Sequence, residues 1–262
     1  MFEVLPLVKL ILALITLLLA SRQDWEKREI EDKLWLVLGF GGGAMTAFEL
    51  INAFNSSIFL VSLLSFALSF LLGYLLFYLG FFGGADAKAI WALGITFPSY
   101  PKIPYIFPSL PIYNFFILTV LGNSLILSIL SVFYYSANNL RAYLKGENLF
   151  LYEMPTWKKL ILFFTAVKIS IYEADWRKIF PVEKVDFSKQ PPQVEVELLS
   201  RVDEEIDVDS LLKGVEEGIL SKRIWVSPGI PMILFILMGL VVSIFFGDLI
   251  LYTVFGLLET LF

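Results

Sequence analysis

Residues 82–88 of this chain read Phe82-Gly83-Gly84-Ala85-Asp86-Ala87-Lys88 and lie between two apolar runs. The first run ends at Tyr78 and the second begins at Ala89. A carboxylate at the edge of a membrane segment is expensive to keep there, which makes Asp86 a candidate functional residue. The alternative is structural, because an Asp that follows a glycine turn commonly caps a helix or occupies its first turn. From this stretch alone both interpretations remain open.

The composition is that of a polytopic membrane protein. Of the 262 residues, 58% are hydrophobic and 17% are charged, and the mean hydropathy is +0.77, outside the range of soluble domains. The chain has no Cys and no His, which excludes thiol nucleophiles, imidazole bases and Cys/His zinc sites, and we expect no metal and no cofactor. Proton chemistry must then fall to carboxylates, Lys or Tyr. The formal net charge of −5 argues against nucleic acid as a partner.

Apolar segments predict six transmembrane helices, with the first retained in the mature protein because no cleavage signal accompanies it. In chain order they lie at about residues 5–20, 34–53, 58–78, 86–97, 112–135 and 228–246. The fourth supplies only about 18 Å of helix, whereas the hydrocarbon core is about 30 Å thick. Either the glycine turn is recessed below the membrane surface, or the Pro-rich loop 98–111 dips in from the other side. The final stretch, 249–262, is too short to span and is expected along the surface.

Residues 136–227 differ from the rest, because charge is frequent and no apolar run is long enough to span. Alternation at 168–171 and 194–198 predicts strands, and Asp209 or Ser210 is predicted to cap a short helix. The apolar run 160–167 lies between two lysines and is predicted to be domain core rather than membrane.

The predicted fold class is therefore an all-α polytopic membrane protein with six transmembrane helices. A small α+β cytoplasmic domain is inserted between helices five and six. The predicted domains are a membrane domain at 1–135, the cytoplasmic domain at 136–227, and the sixth helix with an apolar tail at 228–262.

Basic residues predict the orientation in the membrane. Of the 20 Lys and Arg residues, 18 fall in segments 21–33, 79–88 and 136–227, which six spans put on one side. The positive-inside rule makes that side cytoplasmic and places the N-terminus outside. Asp24 and Asp86 then meet the same cytoplasmic boundary. We expect Lys9 to extend outward from the first span and Asp248 to emerge at the outer face.

A pair of carboxylates at one boundary suggests hydrolytic chemistry. Two close carboxylates cannot both ionise cheaply, so one retains a proton and the pair can act as acid and base. One Asp can activate a water while the other donates a proton to a carbonyl oxygen. Glycines beside Asp86 would let a substrate backbone approach that carboxylate closely.

The stretch 83–88 resembles the Gly-x-Gly-Asp motif of intramembrane aspartyl proteases, in the variant form seen in type IV prepilin peptidases. Residues 21–30, Ser-Arg-Gln-Asp-Trp-Glu-Lys-Arg-Glu-Ile, resemble the segment that carries their other catalytic Asp. The charged domain and the return to the membrane at 225–231 are similar to the archaeal branch, the preflagellin (prearchaellin) peptidases. By this resemblance Asp24 and Asp86 are the catalytic pair. The motif's supporting residues are Gly83, Gly84, Ala85, which replaces the second Gly of the strict motif, and Lys88.

The resemblance also implies a substrate and a location. The substrate is a precursor archaellin or type IV pilin-like subunit, whose short basic leader is removed at the cytoplasmic face of the cell membrane. Cleavage without methyl transfer is expected, because the four-cysteine zinc domain and the N-methylation domain of bacterial relatives are absent. Glu26, Glu29 and Glu31 either attract that leader or neutralise neighbouring basic residues. Lys88 either holds Asp86 or reaches the lipid headgroups.

Two other classes of function remain open from the residues. A proton- or cation-coupled transporter would use the same Asp residues, although no ionisable group is predicted at the midplane to continue a path. A non-enzymatic scaffold would use both Asp residues as helix caps. Separate Asn substitutions distinguish these classes, because only a protease loses cleavage with either change.

Overall fold

The computed structural model describes residues 4–52, 54–198 and 206–261 of the chain. The described residues are mostly helical and divide into two compact units, Met1–Ser128 with Pro231–Phe262 and Ile129–Ile230. The helices in chain order are α1 (Leu5–Lys27), α2 (Asp32–Asn52), α3 (Ser56–Tyr78), α4 (Gly84–Thr96), α5 (Phe116–Ser128), α6 (Leu130–Leu144), α7 (Thr156–Thr165), α8 (Val208–Glu216), α9 (Met232–Phe245) and α10 (Leu249–Leu261).

Among the described residues, four helical stretches are long and apolar enough to cross a membrane. They are Leu5–Lys27, Asp32–Asn52, Ser56–Tyr78 and Phe116–Leu144. A fifth is counted if α9 and α10, which are bent by 59° at their break, form one span. The predicted helical multi-pass fold with a small sheet-containing domain is thus confirmed, while the count of six spans and the three domain limits stay predictions.

Helix α4 is short, as predicted, and packs against both α2 and α3. It ends at Thr96 because the residue before Pro98 is pushed out of the helical conformation, and Phe97 has φ −127° and ψ 75°. Small residues allow the close packing. A methyl group on Gly42 of α2 would overlap the side chain of Thr96, and one on Gly94 would overlap Ser69 of α3. Helix α4, which carries Asp86, is therefore held between α2 and α3 by close approach of the helix backbones.

Two charged residues of the membrane unit are buried. Lys9 does not extend outward: its Nζ lies 2.5 Å from Glu49 Oε2, and its side chain is only 5% exposed. A buried ammonium needs such a partner, and the packing of α1 on α2 supplies one. Asp248 is also buried, and its Oδ1 accepts a hydrogen bond from Leu251 N (2.8 Å) at the start of α10. Its position at the outer face of the membrane stays a prediction.

The Pro-rich loop 98–111 forms neither helix nor strand, as predicted. It is tied to the end of α9 by two hydrogen bonds. Tyr100 Oη donates to Ile244 O (3.0 Å), and Leu110 N donates to Phe246 O (2.9 Å). The tail after Gly247 forms α10, and its location along the membrane surface stays a prediction.

The second unit contains two small antiparallel sheets. Its strands are β1 (Val167–Ser170), β2 (Ile179–Pro181), β3 (Glu183–Asp186), β4 (Gln193–Val196) and β5 (Arg223–Pro228). One sheet has the order β1-β5-β2, and β3 pairs with β4 in the other. The predicted strands at 168–171 and 194–198 correspond to β1 and β4. Strand β5 was not anticipated, because its apolar residues were interpreted as the return to the membrane.

Two local predictions in this unit need correction. Asp207, not Asp209 or Ser210, caps α8, because its carboxylate accepts a hydrogen bond from Ser210 N (3.0 Å). The run 160–167 is only partly core. Leu162 and Ala166 are buried, whereas three apolar residues of the same run are exposed, namely Leu160, Ile161 and Phe164.

Candidate active site

Asp24 lies in the last turn of α1, and Arg28 forms the C-cap that ends this helix. Arg28 adopts the left-handed conformation, with φ 59°, and its N–H donates to Asp24 O (3.1 Å). The same turn brings the guanidinium Nη1 of Arg28 to 3.5 Å from Asp24 Oδ1. The two side chains are only 21% and 13% exposed, so this ion pair is largely shielded from water.

Asp86 lies in the first turn of α4. Its Oδ2 accepts a hydrogen bond from Gly83 N (2.9 Å), so the carboxylate satisfies a backbone donor at the helix end. This geometry fits the structural interpretation, in which Asp86 caps the helix. A capping role does not exclude a chemical role, since the side chain remains partly exposed.

The glycines before Asp86 leave space rather than supply an unusual backbone. Gly83 has φ −73°, which any residue can adopt. A methyl group on Gly84 would lie 3.8 Å from Phe77, an ordinary contact. Ala85 is half-buried and packs against the core of the unit. The small side chains therefore matter for what can approach the carboxylate.

The fold brings the two predicted aspartates together. Asp24 comes from α1 and Asp86 from α4, and their carboxyl groups lie within electrostatic reach of each other and of Arg28. Such a pair can share one proton and can act as acid and base on a single water. Within the described ranges, no three side chains of His, Cys, Asp or Glu gather as metal ligands do.

Lys88 pairs with Asp32 rather than with Asp86, and its reach to the lipid headgroups stays a prediction. Its Nζ lies 2.5 Å from Asp32 Oδ1, which joins the start of α4 to the start of α2. The cation beside the aspartates is instead Arg28, which sequence reasoning missed. The available signal was its spacing, because a residue four positions after Asp24 lies on the same helix face.

The three acidic residues predicted to attract a leader differ in their surroundings. Glu26 accepts a hydrogen bond from Arg22 Nε (2.8 Å), and Glu31 pairs with Lys33. These contacts fit the alternative in which Glu26 and Glu31 neutralise neighbouring basic residues. Glu29 is exposed, and none of the ion pairs found in the described part of the chain includes it.

Comparison with known proteins identifies the family. Residues 11–134, which include both aspartates, match the model of the type IV leader peptidase family. Residues 158–249 match the archaeal peptidase A24 C-terminus type II. Two segments of the chain therefore match models of leader peptidases. These matches identify the chain as a protease and count against the transporter and scaffold interpretations.

Two relatives align with the leader peptidase over almost its whole length. It is 28% identical over 245 residues to the preflagellin peptidase of Methanococcus voltae, an alignment that covers 92% of this chain and 95% of the relative. It is 27% identical over 260 residues to the preflagellin peptidase of Methanococcus maripaludis, with 94% and 97% covered.

Proposed function

We propose that this leader peptidase is an aspartic endopeptidase that removes the short basic leader from a precursor archaellin or type IV pilin-like subunit. The observation that carries the proposal is that the carboxyl groups of Asp24 and Asp86, on two helices, lie within electrostatic reach of each other. Both residues fall in the segment that matches the leader peptidase model. The printed name of both relatives, preflagellin peptidase, supports an archaellin precursor as the substrate.

In the proposed reaction the two carboxyl groups share one proton. The ionised group accepts a proton from a water molecule as its oxygen attacks the scissile carbonyl carbon, and the protonated group donates to the carbonyl oxygen. Collapse of the resulting gem-diol breaks the C–N bond while a proton passes to the leaving amine. The pair is left with one shared proton, ready for another water.

Neighbouring residues have supporting roles in this proposal. Arg28 positions Asp24 through their ion pair. Gly83, Gly84 and Ala85 leave room for an unwound substrate backbone beside Asp86. The Lys88 to Asp32 pair holds the start of α4 in place.

The proposed setting is the cytoplasmic face of the cell membrane, with the N-terminus outside. The supporting observation is the bias of Lys and Arg to the segments on one side. A basic leader on that side would meet the exposed acid of Glu29 before the apolar helix of the substrate enters the membrane.

The test is cleavage of a co-expressed precursor by wild type, Asp24→Asn and Asp86→Asn. Each substitution should lower the cleavage rate by on the order of 10³-fold or more, because an amide can neither accept nor share the proton. Asp209→Asn is the matched control, since Asp209 is exposed on α8, and it should cleave like wild type. Each variant is checked for membrane insertion and for a single peak in gel filtration.

Cleavage retained by either folded Asn variant would reduce that aspartate to a helix-end residue and overturn the mechanism. A wild-type protein that leaves basic-leader precursors intact while it cuts other membrane substrates would overturn the substrate class alone.

A further inference from the structure

Helix α7 carries an apolar face that points out of its own unit. Trp157, Leu160, Ile161 and Phe164 are 56%, 56%, 40% and 43% exposed. Their spacing of three, four and seven residues puts them on one side of the helix. A helix on the surface of a soluble domain turns its apolar side towards the domain core. Because the apolar side of α7 instead points outward, we expect it to contact an apolar environment rather than water.

The basic residues of the same helix are turned the other way. Lys158 Nζ donates to Val196 O (2.9 Å), and Lys159 Nζ lies 5.8 Å from the centre of the Phe150 ring. Both lysines are half-buried against the domain. The inside of α7 is already filled, because Leu162 is only 1% exposed. The outward apolar residues therefore do not result from a wrong rotation of α7, because other residues of the helix already fill the core.

Helix α6 anchors α7 within this unit. Asn139 of α6 is 2% exposed, and its Nδ2 donates to Phe163 O (2.8 Å) and Ala166 O (2.7 Å) at the end of α7. These bonds satisfy carbonyl groups that the end of a helix leaves without partners. The C-terminal end of α7 therefore lies beside Asn139 of α6.

The chemistry of α6 locates the membrane boundary near that level. Its first turns expose Leu130, Phe133 and Tyr134, whereas its last turn carries Arg141 and is followed by Lys145. The helical stretch Phe116–Leu144 is apolar enough to cross a membrane.

Tyr commonly marks the edge of the hydrocarbon core. Asn139 lies five residues beyond Tyr134, about 8 Å along a helix. That distance falls within the headgroup region, which is about 5–8 Å thick on each side of the hydrocarbon core.

We propose that α7 is an interfacial helix whose face of Trp157, Leu160, Ile161 and Phe164 is embedded at the headgroup boundary of the bilayer that the chain itself crosses. Lipid is the occupant because α6, to which α7 is bonded, enters that bilayer in every copy of the protein. Trp157 suits this depth, since its indole combines an apolar body with an N–H donor.

The natural absence of Cys makes the test direct. Single substitutions Leu160→Cys, Ile161→Cys and Phe164→Cys are spin-labelled, and Glu216→Cys on the exposed side of α8 is the control. The full chain is reconstituted in vesicles of phosphatidylcholine and phosphatidylglycerol. Power-saturation EPR then compares collision with oxygen, which concentrates in lipid, against collision with a water-soluble nickel chelate.

The expected result is an oxygen-to-nickel ratio several-fold higher at 160, 161 and 164 than at 216. Nickel accessibility at these positions equal to that at 216 would place the face in water and overturn the proposal. Labels shielded from both reagents, with spin–spin broadening that grows with the protein-to-lipid ratio, would assign the face to a second copy and also overturn it. Three positions on one face ensure that a single misfolded variant does not decide the outcome.

Discussion

Arg28 couples the end of α1 to the position of a proposed catalytic carboxylate. A non-glycine residue in the left-handed conformation costs about 1–2 kcal/mol, so this helix end is held by its surroundings. The hydrogen bond to Asp24 O and the ion pair with the Asp24 side chain are the local contacts that hold it. The rotamer of Asp24 is therefore set within one turn of its own helix.

Glu29 is the residue at which recognition of a basic leader can be tested. We predict that Glu29→Lys raises KM for a basic-leader precursor several-fold at low ionic strength and leaves kcat unchanged. A like charge beside the site slows the approach of the leader without altering the carboxyl pair. The increase should shrink towards physiological salt, where the screening length is about 8 Å. Steady-state cleavage at several salt concentrations measures it.

The control for this prediction is Glu173→Lys, which reverses an exposed charge in the soluble unit. A precursor with an uncharged leader should be cleaved equally well by the Glu29→Lys variant and wild type. Equal KM values for the basic and uncharged leaders in that variant, unchanged from wild type, would count against leader recognition by Glu29.

At the scale of elements, the position of Asp86 depends on how closely α4 approaches α2 and α3. Thr96 at the end of α4 binds α2 directly. Its Oγ1 donates to Ala92 O (2.7 Å) within α4, and its carbonyl accepts from Thr46 Oγ1 of α2 (3.0 Å). Gly42 makes room for this contact, because any side chain there would occupy the space of Thr96.

We predict that Gly42→Ala lowers the melting temperature of the detergent-solubilised protein. Overpacking a tight contact costs about 1–3 kcal/mol, which exceeds the gain of about 1 kcal/mol in helix propensity. Cleavage should fall as well, since α4 must move to admit the methyl group. Thermal unfolding and the cleavage assay are measured on the same preparation.

Gly256→Ala on α10 is the matched control, because no atom of the residues that the structure describes lies within 4 Å of the position that its methyl group would take. It should unfold at the same temperature as wild type or slightly higher. A Gly42→Ala protein as stable and as active as that control would show that the α2–α4 contact is looser than described.

At the scale of the whole molecule, each unit has its own buried core, so the second unit (Ile129–Ile230) can be perturbed by itself. Glu183 is the notable buried charge there, with 1% exposure, and its Oε2 accepts from Trp225 N (3.1 Å). Burial raises the pKa of Glu183 above its ordinary value, and Lys168 only partly opposes the shift. Between the ordinary pKa and the raised folded-state pKa, the folded unit therefore holds a proton that the unfolded chain has released.

The sign follows from proton linkage. A carboxyl with a raised folded-state pKa contributes stability that is present below its ordinary pKa of 4.5 and is lost as pH rises through the folded value. We predict that the free energy of opening of β5 falls as pH rises above the ordinary glutamate pKa of 4.5. Glu183→Gln should remove most of this dependence. Hydrogen exchange of β5 peptides, corrected for the intrinsic rate, measures it in the full chain.

Glu173→Gln is the control, since that side chain is exposed, and it should keep the wild-type pH profile. Lys168, whose pKa is lowered by burial, is left unchanged in both proteins. If Glu183→Gln retained the full pH dependence, the titrating group would lie elsewhere in the unit.

Several features were accessible from the sequence because they depend on local patterns. Apolar run lengths predicted α1 and the shortness of α4. The position of Asp24 and Asp86 at one membrane boundary stays a prediction. The partner of Lys88 was not accessible, because Asp32 belongs to another helix. The left-handed Arg28 and the outward face of α7 also required coordinates, since flanking lysines usually indicate a water-facing helix.

The buried pair of Lys9 and Glu49 has a consequence at the opposite end of its helix. Lys9 precedes Asp24 by fifteen residues, about 22 Å of α-helix. If α1 slid along α2 by one turn, about 5.4 Å, the ammonium would be parted from its carboxylate inside an apolar environment. Breaking such a pair costs about 3–5 kcal/mol. The position of Asp24 relative to α2 thus depends on an ion pair at the far end of α1, which opposes a piston-like movement of that helix.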